Sequence, residues 1–171
     1  NCRGLAPDAT LHIFKVFNSK QVSFTSWFLD AFNYALYRRV HVLNLSVGGP
    51  DFADLPFTRK VSEVAAHNVL IVSGIGNSGP LWGTLMNPAD QPEVLGVGGI
   101  DDDARIAPFS SRGMSGWELP DGAGRLKPDI VTYGSRVSGS GIGGGCRELS
   151  GTSVACPVVA GAAVLLASAL P

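Results

Sequence analysis

The sequence predicts an α/β domain built in three layers, a mostly parallel sheet with helices on both faces. Strand-like runs alternate with helix-like runs along most of the 171 residues, the order that right-handed crossovers between parallel strands produce. Two of the strand runs, Val69-Leu70-Ile71-Val72-Ser73 and Val94-Leu95-Gly96-Val97-Gly98, are short and apolar almost throughout, as in strands covered on both faces. Hydrophobic residues make up 45% and charged residues 16%, enough apolar material for the core of one domain of this length.

Taken in order, Leu11-His12-Ile13-Phe14-Lys15-Val16-Phe17 reads as a strand, rich in β-branched and aromatic residues, after a turn at Pro7-Asp8-Ala9. Residues 23–39 form a helix, with Phe24, Trp27, Phe28, Ala31, Ala35 and Leu36 recurring at three- and four-residue steps. Val42-Leu43-Asn44-Leu45-Ser46-Val47 is the next strand, closed by Gly48-Gly49-Pro50. Its Asn44-Leu45-Ser46 matches a glycosylation sequon, but a central strand is the wrong place for a glycan. A second helix covers residues 57–67, and a short strand follows Lys127-Pro128-Asp129. Residues 154–170 are almost unbroken Ala, Val, Leu and Gly. A helix apolar on all sides is expected to be the buried central helix, with Pro157 in its first turn, where proline is tolerated.

The formal net charge of −1 gives no reason to expect nucleic acid or an anionic membrane surface as a partner. No stretch reads as a signal peptide or a convincing membrane span. Cys2, Cys146 and Cys156 lack metal-ligand spacing. Cys2 and Cys146 can pair in an oxidising compartment, which sequence alone leaves open, and Cys156 is expected to be a small buried thiol. His12, His41 and His67 read as packing, surface or capping residues.

Sites in parallel sheets lie beyond the carboxyl ends of the strands. The glycine-rich segments at Gly48, at 74–79 and at Gly151 all follow strands or precede the last helix, so they are expected to converge on one edge. Ser153, in Leu149-Ser150-Gly151-Thr152-Ser153-Val154-Ala155-Cys156-Pro157, falls at a helix start, where free N–H groups favour developing negative charge. It is a candidate nucleophile; the plainer alternative makes Thr152 or Ser153 an N-cap.

The loop Gly74-Ile75-Gly76-Asn77-Ser78-Gly79 has two readings. It fits a dinucleotide-binding fingerprint, with Asp101 as the ribose acid, but Pro80, Gly83, Pro88 and Pro92 leave little room for the helix such a fingerprint must open. In the other reading Asn77 is an amide donor to an oxyanion. Asp101-Asp102-Asp103 reads as a solvated turn rather than a calcium loop.

Gly151-Thr152-Ser153-Val154-Ala155-Cys156-Pro157 resembles the nucleophile motif G-T-S-x-A-x-P of subtilisin-like serine proteases. Three more segments resemble that family in its order: Gly4-Leu5-Ala6-Pro7-Asp8-Ala9, Asn44-Leu45-Ser46-Val47-Gly48-Gly49 and Gly76-Asn77-Ser78-Gly79. The resemblance implies that residues 1–171 are the C-terminal part of a subtilisin-like catalytic domain, truncated at the N-terminus. It implies Ser153 as nucleophile and Asn77 as oxyanion donor, assisted by the Ser153 N–H. It also implies substrate binding by Leu45, Ser46, Val47 and Gly48, which pair with an extended polypeptide, and by Gly74, Ile75 and Gly76 at the specificity pocket. Cys156 stands where serine is common. The family's aspartate and histidine belong upstream of Gly4 and are absent here, so the piece alone is expected not to turn over peptides. A catalytically inactive binding domain of the same family is the alternative.

Residues 11–17, Ser26-Trp27-Phe28-Leu29-Asp30-Ala31-Phe32-Asn33-Tyr34-Ala35 and 113–134, with Trp117-Glu118-Leu119-Pro120, are similar to a subtilisin/kexin branch of secretory-pathway endoproteases. That similarity implies calcium dependence, an endoplasmic reticulum or Golgi lumen setting, and a membrane anchor outside this segment. It implies processing of membrane-bound or secretory precursors such as transcription-factor precursors. Arginine is preferred upstream of the scissile bond, with cleavage after a non-basic residue such as leucine, or after lysine.

Overall fold

The computed structural model describes residues 2–50, 52–117 and 124–170. In chain order they form α1 (Thr25–Tyr37), β1 (Val42–Leu45), α2 (Leu55–Ala66), β2 (Leu70–Gly74), β3 (Val94–Ile100), β4 (Gly113–Met114), β5 (Leu126–Lys127), β6 (Ile130–Tyr133), β7 (Val137–Ser140), β8 (Cys146–Leu149) and α3 (Thr152–Ala169). Strands β1, β2, β3 and β6 lie side by side in that order, all parallel, with Leu43 opposite Ile71, Val72 opposite Leu95 and Gly98 opposite Val131. Two antiparallel pairs, β4 with β5 and β7 with β8, stand outside this sheet.

Strand alternation sorts the core into two layers. Ile71 packs with Phe32, Val61 and Val64, below the sheet, where α1 and α2 lie. Its neighbour Val72 packs with Val97, Ala155, Cys156, Val159 and Ala160, above the sheet, where α3 lies. Helices therefore cover both faces. Ile71 and Val72 are fully buried, and burial of such a side chain is worth about 1.5–3 kcal/mol.

Helix α2 starts where the Asp54 carboxylate accepts the Phe57 N–H at 3.2 Å, with proline in the first turn. Phe28 and Phe32 of α1 meet Phe57 of α2 at ring distances of 5.5 and 5.6 Å, which joins the two helices. The predicted apolar stripe of α1 is only partly the buried one. Phe32, outside that stripe, is core, while Phe24 and Trp27 stay exposed and pack edge-on against each other at 5.1 Å.

Three expectations are corrected. Residues 11–17 form no strand: among the described residues no strand pairs with them, and a strand exists only where a neighbour takes its N–H and C=O groups. Their aromatics lean on α1 instead, Phe14 against Tyr34 and Phe17 against Phe28. Pro157 is not in the first turn of α3, which begins at Thr152; it lies inside the helix and leaves the Ser153 carbonyl without its usual N–H partner. Nor is α3 buried all round. One stripe, Thr152, Ala155, Cys156, Val159 and Ala160, is buried, while Leu165 and Leu166 are 45% and 63% exposed. By length and composition α3 could cross a membrane, but its inner stripe packs on the sheet.

Cys2 and Cys146 form a disulfide that ties the start of the chain to β8, leaving Cys156 free and buried. Buried Lys127 donates from Nζ to the carbonyls of Gln91 and Val94 and to Asp129 Oδ2, which also accepts the Gly96 N–H; the corner before β6 is thereby pinned to β3. Glu118, Leu119 and Pro120 of the secretory-branch similarity lie outside the described residues.

Candidate active site

The segments that follow β1 and β2 meet the N-terminus of α3 at a cleft of about 360 Å³. Of the residues singled out from sequence, Ser46, Val47, Gly48, Gly74, Gly76, Asn77 and Ser153 line it. The three glycine segments thus converge on one edge. Leu45 and Ile75 do not line it. Leu45 is core, 7% exposed, and Ile75 is fully buried against Leu85 and Ala89. The alternation along the chain explains Ile75: with Gly74 and Gly76 facing the cleft, the residue between them faces inward.

Asn77 is exposed at the loop tip, and its amide is oriented by α3. Asn77 Oδ1 accepts the Thr152 N–H at 2.8 Å and the Thr152 hydroxyl at 3.1 Å. The same hydroxyl accepts the Gly76 N–H at 3.2 Å. With Oδ1 occupied, Nδ2 is turned outward and donates to no described residue. The helix is capped from outside, so neither Thr152 nor Ser153 is its N-cap: that position is Gly151, which makes no side-chain bond.

Gly151 has φ +148°, a backbone conformation that disfavours a side chain. A Cβ placed there would meet Ser153 Oγ at 3.1 Å and Asn77 Nδ2 at 3.5 Å. The serine hydroxyl and the asparagine amide therefore border one point. Ser153 is exposed, and neither its Oγ nor its N–H has a hydrogen-bond partner among the described residues. That N–H is one of the orphan donors that every helix start presents.

Sequence reasoning missed Phe17, Ser78, Met86 and Thr152 as lining residues. Thr152 had a signal, a hydroxyl beside the glycine turn. Met86 had none, because it reaches the cleft only through the return of the loop after β2, where its N–H donates to the Ile75 carbonyl at 3.1 Å.

The neighbouring groups narrow the chemistry. Cys156 lies one helical turn beyond Ser153, donates to Asn44 Oδ1 at 3.1 Å, and burial pushes its thiol up to about 12. A thiol held protonated is no nucleophile. His41 immediately precedes β1, and His67 is the C-cap of α2 shortly before β2, so both lie at the edge of the sheet opposite the cleft. No helix follows the glycine loop before β3, so the dinucleotide fingerprint lacks its required context.

Asp101 Oδ1 accepts the backbone N–H groups of Asp103 and Arg105, Asp102 pairs with Arg136, and Asp103 with Arg105. Among the described residues no group of three or more His, Cys, Asp or Glu is arranged to hold a metal ion. The calcium implied by the resemblance is thus assigned no carboxylate cluster among the described residues.

A second cavity of about 340 Å³ adjoins the first and shares Phe17, Val47 and Gly48 with it. Phe24, Phe28 and Phe57 wall it, and among the described residues Asp54 is the one acid that lines it. The Asp54 carboxylate also takes the Thr25 hydroxyl.

A parallel α/β sheet with an exposed serine at a helix start, sharing its cleft with an oriented loop asparagine, has the architecture of a serine hydrolase. The chain belongs to the subtilase family of peptidase S8, whose family profile matches residues 1–171. It is 69% identical over 167 residues to the Homo sapiens protein named membrane-bound transcription factor site-1 protease, a match covering 98% of this chain and 16% of that protein. It is 62% identical over 170 residues to subtilisin-like protease SBT6.1 of Arabidopsis thaliana, covering 99% of this chain and 16% of that protein. Among solved structures, the self-cleaved protease domain of PatA superposes with a TM-score of 0.82 at 33% identity, over 95% of this chain and 59% of that one. The chain thus spans about 16% of the length of these two curated relatives.

Proposed function

We propose that residues 1–171 are the C-terminal part of a subtilisin-type catalytic domain whose protein is a serine endopeptidase, with Ser153 as its nucleophile. Ser153 Oγ attacks a peptide carbonyl, and the oxyanion that forms is held by Asn77 Nδ2–H and the Ser153 N–H. The observation that carries this reading is the shared point at Gly151, with Ser153 Oγ at 3.1 Å, Asn77 Nδ2 at 3.5 Å and neither engaged elsewhere among the described residues. The Ser153 proton passes to a histidine that this chain does not supply, since His41 and His67 face the wrong edge of the sheet and His12 lines neither cavity.

The substrate is an extended polypeptide. The segment that runs from Leu45 past the end of β1 to Gly48 lies along the cleft and can pair with an added strand through main-chain hydrogen bonds. Gly74 and Gly76 leave room for a side chain, and Ile75 contributes backbone only. An arginine upstream of the scissile bond fits the adjoining cavity, where Asp54 offers a charge and the phenylalanines offer ring faces to a guanidinium.

The human relative's name supports membrane-bound transcription-factor precursors as substrates, and with them a membrane anchor outside this segment. The Cys2–Cys146 disulfide supports an oxidising setting, the lumen of the endoplasmic reticulum or Golgi. The test compares the full-length protein with its Ser153→Ala variant on an extended peptide carrying an upstream arginine. Cleavage is expected to vanish in the variant; an equally active variant rejects the assignment.

A further inference from the structure

Asp90 lies behind the cleft, 1% exposed in the loop between β2 and β3, and has no role in the chemistry proposed above. Both of its carboxylate oxygens are taken. Oδ1 accepts the Asn87 Nδ2–H at 3.0 Å, and Oδ2 accepts the Trp117 Nε1–H. Trp117 comes from the connection between β4 and β5, outside the main sheet. Asn87 is itself buried, and its Nδ2 also donates to Gln91 Oε1 at 3.3 Å. Gln91 Nε2 carries the tie onward to the Thr58 carbonyl of α2 at 3.1 Å.

Asn87 in turn holds the wall that the two cavities share. Its N–H donates to the Gly49 carbonyl at 2.9 Å, and its carbonyl accepts the Gly49 N–H at 3.0 Å. In an extended segment, neighbouring residues point their main-chain groups to opposite edges. With both groups of Gly49 turned to Asn87, those of Gly48 are turned the other way, and Gly48 lines both cavities. A Cβ on Gly48 would meet the Asn87 carbonyl oxygen at 3.1 Å, so the wall is seated directly against the Asn87 backbone. The two glycines have no side chains of their own to fix this geometry.

We infer that Asp90 is a positioning residue: by fixing Asn87 it presents the Gly48 main chain to the part of the substrate upstream of the scissile bond. This role rests on the assignment of Ser153 and on the pairing of Leu45 to Gly48 with substrate. Two N–H donors converge on Asp90, and a carboxylate has acceptors for both and no donor. Asparagine offers one acceptor and one donor, so one of the two N–H groups would face another N–H. Trp117 holds the carboxylate from the far side, which makes the β4–β5 connection part of the same support.

The experiment uses the full-length protein and two peptides, an extended one carrying the upstream arginine and the same peptide cut back to two residues before the scissile bond. The native protein is expected to favour the long peptide. Asp90→Asn should lower the long-to-short ratio of kcat/KM about 10-fold, the worth of one hydrogen bond, and mainly through KM of the long peptide. Trp117→Phe keeps a ring and removes the donor. It should move the ratio in the same direction, and it carries the test where the Asp90 variant folds poorly. Combined in one chain, the two substitutions should cost no more than Asp90→Asn alone, because Trp117 acts through Asp90. A merely structural role would lower both peptides together. An unchanged long-to-short ratio in the folded variants overturns the inference. Cleavage that survives Ser153→Ala would instead overturn the reading on which it rests.

Discussion

Thr152 is bonded to Asn77 twice, its N–H donating to Oδ1 at 2.8 Å and its hydroxyl donating to the same oxygen at 3.1 Å. The first residue of a helix thereby sets which way a side chain 75 positions earlier must face. With the oxygen committed, only the Nδ2 donor is left for the cleft. The Thr152 hydroxyl also takes the N–H of buried Gly76, so one side chain ties the glycine loop to the helix start.

Thr152→Val keeps the shape and removes the hydroxyl. The Gly76 N–H then loses its acceptor inside the protein, which costs about 1–3 kcal/mol. Asn77 keeps one of its two anchors and gains freedom to turn. Thermal unfolding is expected to show the loss in stability, and peptide cleavage by the full-length protein should show kcat falling more than KM rises. Thr152→Ser should restore both. A valine variant with native kcat would separate Thr152 from the orientation of Asn77.

Asn77→Asp probes the donor itself. The substitution preserves size and the oxygen that accepts from Thr152, but it replaces the outward N–H donor with a second oxygen. An oxyanion forming there would face a like charge. Turnover should fall about 100- to 1,000-fold with KM little changed, a magnitude taken from a bacterial subtilisin's oxyanion donor. A fall confined to KM would place Asn77 in ground-state binding only.

Much of this arrangement was legible in residue order. The runs ending in Ser73 and at Gly98 are apolar without a break, and one such strand must be covered twice; Ile71 and Val72 do face opposite helix layers. The glycines at 48, 76 and 151 marked the turns that converge on the cleft. What failed did so where a partner distant in sequence decides. Residues 11–17 have strand composition, but strand is a property of a pair, and no described strand pairs with them. The apolar periodicity of α1 runs through Phe24 and Trp27, yet Phe57 of α2 fixes the buried side on Phe32. Ile75 reads as part of the glycine loop, while its side chain belongs to the Leu85 and Ala89 cluster. Met86 enters the cleft by a loop return that no local pattern announces.

Asp90 supplies a pH dependence of known sign. It is 1% exposed, and burial raises its carboxyl above the ordinary 3.8, although hydrogen bonds from Trp117 and Asn87 and the charge of Lys127 pull the other way. The folded state then holds this proton more tightly than the unfolded state. Its contribution to stability is most favourable below pH 3.8, declines as pH rises through the folded value, and is constant above it. Asp90→Asn removes the titration. The difference in urea midpoint between the asparagine variant and the native protein should therefore shift toward the variant as pH rises through that window. A difference independent of pH would show that Asp90 ionises as freely when folded as when unfolded.

The three cysteines give a count that separates two states of the chain. Cys2 and Cys146 are joined across a sequence separation of 144, and Cys156 is fully buried with its thiol raised to about 12. No thiol should react with a maleimide near neutral pH in the native protein. One should react in denaturant, and three after reduction in denaturant. Opening a loop of this size removes a constraint on the unfolded chain worth about 5 kcal/mol on the chain-entropy account, so replacing both Cys2 and Cys146 with serine should lower the unfolding midpoint sharply. Cys156→Ser should cost far less, because a hydroxyl of similar size can donate to Asn44 Oδ1 in place of the thiol. Native labelling of one thiol would show that Cys156 is reachable from solvent. Labelling of three in denaturant without reductant would show that Cys2 and Cys146 are unpaired in the protein as isolated.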